Sequence, residues 1–358
     1  RIFILVVVTL LVAGSMFAEQ KTLIDFAKLA ADISVAEKEG GDPPETPNQN
    51  EATFMEFSNE ATSNFTARQR LAMKSSLAIG KWDVLLASSS RNVTTKGLSF
   101  TKEAKSKGAF ADDDGEEKTV MGVRIHFPTE PFSSWAAIKP PFPIPAFEPN
   151  GTVDADAGTF TANEDEDGVT TPSRFEGPAD DDGNPTGGYG IVKNVGTIKS
   201  IAVNVYGLNF PHSLSVILID AQGVEKTYFM GYLNFEGWGE LRWDNPAYVE
   251  NVRNRELKVD PIYPDNTPYV KFGGFIIQRQ ANHKGGDFVG YFKDVSLIYD
   301  LAVLPTERDI DDESEWHIIQ TRDNERSKSE LQRLGQYQMQ RQLDLERQAQ
   351  ESFIKPQE

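Results

Sequence analysis

From Tyr269 to Val303 the chain reads YVKFGGFIIQRQANHKGGDFVGYFKDVSLIYDLAV, its most β-like passage. Two runs rich in Phe, Ile, Val and Tyr flank a polar, glycine-bearing turn at residues 282–286, the composition of a long hairpin. Beyond the turn Val289, Tyr291, Lys293, Val295, Leu297 and Tyr299 recur at every second position, while Asp294, Ser296 and Asp300 point the other way. Period-two alternation predicts a strand with one buried face and one wet face. The passage is therefore expected to be the central hairpin of an antiparallel sheet.

Other strands are expected around it. Upstream, they are predicted at 81–86, with Trp82, Val84 and Leu86 on one face, and at 120–127. From residue 191 onward the pattern places more at 197–206, 213–220, 225–233, 240–243 and 256–259. Short strands separated by turns, with hardly a helix among them, predict a mainly β fold: an antiparallel sandwich of the jelly-roll type. A closed barrel is the alternative that spacing leaves open.

The flanks read differently. Residues 1–18, Arg1 followed by IFILVVVTLLVAGSMFA, have the length and hydropathy of a signal-peptide core, with cleavage expected after Ala18. Residues 19–79 are expected to be helical or irregular, with Leu23, Phe26, Ala27, Ala30 and Ile33 at roughly helical spacing. The sandwich is placed at 80–304. After Pro305 comes a polar tail, 305–358, rich in Gln, Arg and Glu, predicted to be helical or disordered. Leu331 and Leu334 begin a heptad, but Gln338 and Arg341 fall at the next two seam positions, which argues against a self-sufficient coiled coil. Such a segment is an exposed helix, a disordered tail or an element that waits for a partner.

The sequence SSWAAIKPPFPIPAF carries Pro140, Pro141, Pro143 and Pro145, which remove amide donors and fix φ. It must be an extended segment, either a rigid docking strap or a loop packed over the sandwich.

Charge narrows the function. With 36 Lys and Arg against 54 Asp and Glu, the chain carries a formal net charge of -18, which repels nucleic-acid phosphate. The acidity is local: residues 109–183 hold 17 acidic and 4 basic residues, whereas 190–304 hold 12 and 11. Clusters at Asp112–Asp114, Glu164–Asp167 and Asp180–Asp182 lie in or near an insertion at about 148–188; they do not fit an EF-hand spacing and read as a solvated loop.

Chemistry is not signalled. There is no cysteine, and the histidines at 126, 212, 283 and 317 are scattered without metal-ligand spacing. No phosphate loop, nucleophile elbow or zinc-binding helix motif occurs, so neither catalysis nor a cofactor is expected. Aromatic residues are the better binding signal: Trp135, Tyr232, Trp238 and Trp243 fall at turns and strand edges, where a ring stacks on a sugar, fills a partner's pocket or belongs to the core. The candidate partner-contact residues are Trp135, Pro140, Pro141, Phe142, Pro143, Trp238 and Trp243.

Several pieces in order, TLIDFAKL, KWDVLLASSSRNV, VMGVRIHFP, SSWAAIKPPFPIPAF and FVGYFKDVSLIYDL, resemble the spirochaete periplasmic flagellar filament outer layer (sheath) proteins, FlaA. The resemblance implies an exported, non-enzymatic subunit that sheaths a FlaB-type flagellin core, contacts neighbouring sheath subunits, and contributes to filament stiffness and shape in the periplasm. A periplasmic carbohydrate-binding jelly roll, with Trp238, Trp243 or Tyr232 as its platform, is the reading of a different class. On the sheath reading, the proline strap and the acidic loop are expected at an intersubunit or core-facing surface.

Overall fold

The computed structural model describes residues 19–32, 49–57, 66, 73–107, 117–147, 151–154, 159–162, 174–177, 185–248, 268–302 and 315–352. The expected signal peptide, the three acidic clusters and the strand expected at 256–259 lie outside them. In chain order the first elements are β1 (Glu19–Asp25), the short pair β2 (Met55–Glu56) and β3 (Lys74–Ser75), β4 (Asp83–Leu86), α1 (Val93–Gly97), β5 (Phe100–Ser106), β6 (Lys118–Phe127) and β7 (Ser134–Lys139). The short pair β8 (Gly151–Asp154) and β9 (Thr159–Ala162) follows, then β10 (Ile191–Lys193), β11 (Val195–Leu208), β12 (Ser213–Asp220), β13 (Glu225–Tyr232), β14 (Glu236–Asp244), β15 (Tyr269–Arg279) and β16 (Gly286–Leu301). The chain closes on α2 (Ile318–Ser352).

Two antiparallel sheets form the body. Sheet one runs β14-β11-β16-β6-β5, with β1 also on β16; sheet two runs β13-β12-β15-β7-β4, with β10 also on β15. The strand order is that of a jelly roll, β6-β16-β11-β14 over β7-β15-β12-β13, each widened by one strand at its β6 or β7 edge. The expected sandwich with a C-terminal helix is thus borne out.

The expected hairpin is not. β15 and β16 belong to different sheets, and each is paired on both edges, β15 with β12 and β7 and β16 with β11 and β6. The turn between them is an arch across the sandwich, and its two strands face each other through the core: the Phe275 and Phe292 rings stack with centroids 4.4 Å apart. Composition could not separate the two arrangements, because both need two apolar strands and a polar turn. Gly285 in that arch packs so closely on the Pro128 carbonyl that a Cβ would overlap it. Gly285→Ala should therefore cost about 1–3 kcal/mol, read as a shift of the urea midpoint.

The alternation also changes phase partway along β16. Val295, Leu297 and Tyr299 are buried as expected, but nearer the arch the buried residues are Phe288, Gly290 and Phe292, not Val289 and Tyr291. The cause is a bulge: Asn204 pairs with Asp294 and Val205 with Phe292, leaving Lys293 unmatched. One extra residue moves every side chain beyond it to the other face.

The helix expected from Thr22 is a second correction. Residues 19–25 form β1, antiparallel to β16 with Glu19 opposite Tyr299, and a single 3-10 turn follows at Phe26–Leu29. Leu23, Ile24, Phe26 and Leu29 are buried in the common core, and Phe26 packs against Trp82 and Phe275. Burial of each such side chain contributes about 1.5–3 kcal/mol, so the segment is an integral part of the sandwich.

Candidate interaction surface

Alternation along the strands of sheet two sends every second side chain outward, and part of that outer face has no cover. Register places Trp135, Gln278, Ser213 and Tyr232 in one row across β7, β15, β12 and β13. The next row is Leu85, Ala137, Ile276, Ser215 and Phe229, starting on β4. Leu85, Trp135, Phe229 and Tyr232 are 48%, 45%, 51% and 44% exposed. Contiguous large apolar side chains of this kind mark an interaction surface, whereas scattered ones do not.

The rows give the face a shape. Ser213 and Ser215 on β12 are small and floor a shallow trough, where Ser213 is only 7% exposed and Gln280 Nε2 donates to the Tyr232 hydroxyl at 3.4 Å. Ile276 and the exposed Gln278 on β15 line one side, with Trp135 on the next strand; Phe229 and Tyr232, packed edge to face at 5.5 Å, line the other. The strands that carry the two sides, β15 and β13, lie two strand spacings apart, about 10 Å between their axes.

The opposite end of the same face is covered by the proline strap and α2. Pro140, Pro141, Phe142 and Ala146 are buried, and Pro143 is half-buried. Phe142 packs against Phe57 and Phe175 in the core. Of the two readings of this stretch, the strap is the packed loop: its prolines and Phe142 are not presented to a partner.

Its backbone is read by α2. Gln338 Nε2 donates to the Pro141 carbonyl at 2.8 Å, and Glu330 Oε2 accepts from the Ala146 and Phe147 amides at 2.9 and 3.3 Å. Glu330 Oε1 meets Lys271 Nζ at 2.9 Å, both side chains being at least nine-tenths buried. Further along, the Arg341 guanidinium grips the Asp83 carboxylate with two bonds of 2.7 and 2.8 Å. Ser327, Glu330, Leu334, Gln338 and Arg341 thus form the helix's inner seam, three or four residues apart, and Leu334 is 1% exposed. The polar seam residues that argued against a coiled coil are the ones that match a partner made of free carbonyls, amides and charges.

The remaining aromatic candidates separate. Trp238 lies half-buried on the outer face of sheet one, in a row with Tyr206 and Tyr291 on neighbouring strands; Tyr206 stands edge-on to both, at 5.4 and 6.0 Å. Trp243 packs on Tyr228 at 4.7 Å and against the core, where it joins the two sheets at their β13–β14 edge. Sequence reading did not single out Leu85, Ile276 and Phe229. Leu85 was detectable as the residue out of phase with Trp82, Val84 and Leu86.

Electrostatics set one pH-dependent element, away from the trough. His212 lies among Phe127, Phe210 and Phe288, and its pKa is pushed down to about 4 by burial, with His283 and Arg279 adding to the effect. Arg279 is fully buried and donates to the carbonyls of Glu130, Phe132 and His283. An unfolded imidazole titrates near 6.5, so between those values the unfolded chain binds a proton that the folded chain does not. Stability should be flat above pH 6.5 from this group and fall as pH drops towards 4, by about 3 kcal/mol. The check is the urea midpoint against pH, compared with His212→Gln, which should lose this part of the slope. Among the described residues no group of three or more His, Asp or Glu is placed to hold a metal ion.

A family model described as flagellar filament outer layer protein FlaA matches residues 46–308. A flagellar filament outer layer protein of Treponema pallidum (strain Nichols) is 44% identical over 353 residues, covering 99% of this chain and 95% of the relative. One from Spirochaeta aurantia is 41% identical over 353 residues, covering 98% and 94%. Among solved structures, a carbohydrate-binding module of the β-sandwich superfamily aligns over 61% of this chain and 57% of its own, at 9% identity and a TM-score of 0.27.

Proposed function

Since the chain belongs to the flagellar filament outer layer protein family, we propose that it is a sheath subunit laid over a FlaB-type flagellin core in the periplasm, adding stiffness and shape to the filament. The observation that carries this reading is the uncovered outer face of sheet two, where Leu85, Trp135, Phe229 and Tyr232 stand together on a rigid sandwich. A sheath subunit works through repeated contacts of moderate strength with its neighbours, and an apolar patch on a stiff sheet supplies them.

Purified periplasmic flagella test the reading directly. The chain should be found in them, and its deletion should reduce filament diameter and change curvature; its absence from the flagella, or an unchanged filament without it, would overturn the proposal. Trp135→Asp should keep the fold at a cost of about 1–2 kcal/mol, because the ring is only half covered and Asp is a poor strand residue. Its retention on filaments after washing should fall by at least tenfold.

A glycan-binding reading rests on the ring row Trp238, Tyr206 and Tyr291 on the opposite sheet. It predicts saturable binding to a member of a broad glycan panel, lost in Trp238→Ala; no binding across the panel would remove it.

A further inference from the structure

The outer faces of the two sheets differ in charge. The two rows across β4, β7, β15, β12 and β13 hold no Asp, Glu, Lys or Arg. The charges that border them towards α2 are paired with each other: Lys139 Nζ meets Glu225 at 3.3 Å, and Arg341 meets Asp83 at 2.7 Å. On sheet one, by contrast, Glu236, Glu240, Arg242 and Asp244 stand exposed along β14 alone. Exposed apolar side chains on that sheet have charges opposite them, Arg124 for Phe100 and Glu236 for Leu208. The whole chain carries a net charge of -18. Two copies repel wherever their acidic surfaces meet, and the two-row field lets them approach without that cost.

The field also selects its occupant. A charged partner finds no counter-charge on it, and an ion brought there gives up its water without return. The partner must present a neutral surface of aromatic, aliphatic and hydroxyl groups, which is the composition of the field itself. Its layout is self-complementary too. β15 is the middle strand of the five, with β12 and β13 on one side and β7 and β4 on the other. A two-fold axis parallel to the strands and over β15 lays β7 of one copy on β12 of the other, and β4 on β13. Register then sets Trp135 over Ser213, large on small, Leu85 over Phe229, and Ile276 against its own copy at the axis. Sheets packed face to face in this way lie about 10 Å apart. The field measures roughly 20 by 14 Å, on the order of 300 Å² per copy, which is short of the about 800 Å² of a stable complex. The contact is weak and reversible.

We propose that free subunits pair face to face through this field, about a two-fold axis over β15. Such a contact uses one patch twice and closes at two copies, so it does not propagate. It covers the face that the sheath reading assigns to neighbouring subunits, and it thereby holds the free chain back from assembly. Only this second step rests on that reading.

Sedimentation of the purified full chain tests the pairing. At micromolar to millimolar concentration the chain should pass reversibly from monomer to dimer, and added salt should strengthen the dimer several-fold by screening the repulsion between acidic copies. A monomer throughout, species larger than a dimer, or association that weakens with salt would overturn the inference. Trp135→Asp should weaken the dimer at least tenfold, and an undiminished dimer would count equally against it. The chain has no cysteine, so Ile276→Cys should form a 276–276 disulfide on mild oxidation. It should do so at least tenfold faster than Lys102→Cys forms one on the opposite sheet; equal rates would overturn the placement of the axis. The disulfide-linked pair should stay off flagella until it is reduced. If the linked pair joins flagella as readily as the free chain, the hold on assembly is overturned. If the free chain too is absent from them, the sheath reading fails while the pairing stands.

Discussion

Leu297→Asp is expected to abolish the fold. Leu297 is fully buried on β16, the strand paired with β11, β6 and β1, and its neighbours on the inner face are Val295 and Tyr299. The substitution removes a packed side chain, worth about 2–5 kcal/mol, and puts a carboxylate where the inner face offers only apolar contacts. The total reaches the whole stability of an ordinary domain, about 5–15 kcal/mol. Circular dichroism should show no cooperative unfolding transition, whereas Leu297→Met should retain one with a cost of under about 1.5 kcal/mol. A folded Leu297→Asp protein would mean that this strand faces the other way.

Glu330→Ala should have the next largest effect, and a local one. It leaves the Lys271 ammonium buried without its carboxylate and takes the acceptor from the Ala146 and Phe147 amides. Removing one partner of a buried pair costs about 3–5 kcal/mol. The loss should fall on α2, because its apolar contacts with the core are few, Leu334 with Leu331 and Met339, and its other contacts with the sandwich include the polar ones of Gln338 and Arg341. Hydrogen exchange should show α2 opening while the amides of β11 and β16 stay protected. Replacing both members, Lys271→Met with Glu330→Leu, should recover only the part due to the lone ammonium, since the Ala146 and Phe147 amides still lack their acceptor. Uniform weakening of both sheets by Glu330→Ala would show that helix and sandwich unfold as one unit.

Much of the body was legible because inward alternation leaves a plain trace. Residues 213–220 are a strand with Leu214, Val216 and Leu218 inside, and β4 has Leu86 inside and Leu85 outside, with Trp82 buried just before it. What local pattern cannot carry is the identity of a strand's partner. The arch at 280–285 and a hairpin have the same composition, so only the global strand order separates them. The bulge at Lys293 is a single-residue event that leaves each half of β16 alternating normally, which is why one phase was extended through both halves. β1 was read as helical because apolar residues at 23, 26, 27 and 30 fit a helix, although the strand ends at Asp25 and a 3-10 turn then carries Phe26 and Leu29 into the core.

The site was half legible. Trp135 stands out as a tryptophan in a strand, and it is exposed as a contact residue must be. The proline strap attracts attention because its prolines keep it out of the sheets, and its Pro141 carbonyl and its Ala146 and Phe147 amides are met instead by the seam of α2. A polar seam is unreadable without the surface that it matches, and Gln338 and Arg341 look like defects in a heptad until Pro141 and Asp83 are beside them.

The pairing of β1 with β16 sets a kinetic limit. The first strand of the described chain finds its place only against the last, with Glu19 facing Tyr299, so sheet one cannot close until almost the whole polypeptide is present. Contacts between such distant segments are formed late and slowly, because the closure entropy of everything between them must be met first. Until then β16 has not yet filled the centre of sheet one, and the edges of β11 and β6 stand open, each able to pair with another chain. The topology therefore predicts that newly made chains depend on being held apart until their C-terminal third has arrived, and that truncation before β16 gives aggregates in place of shorter sheaths.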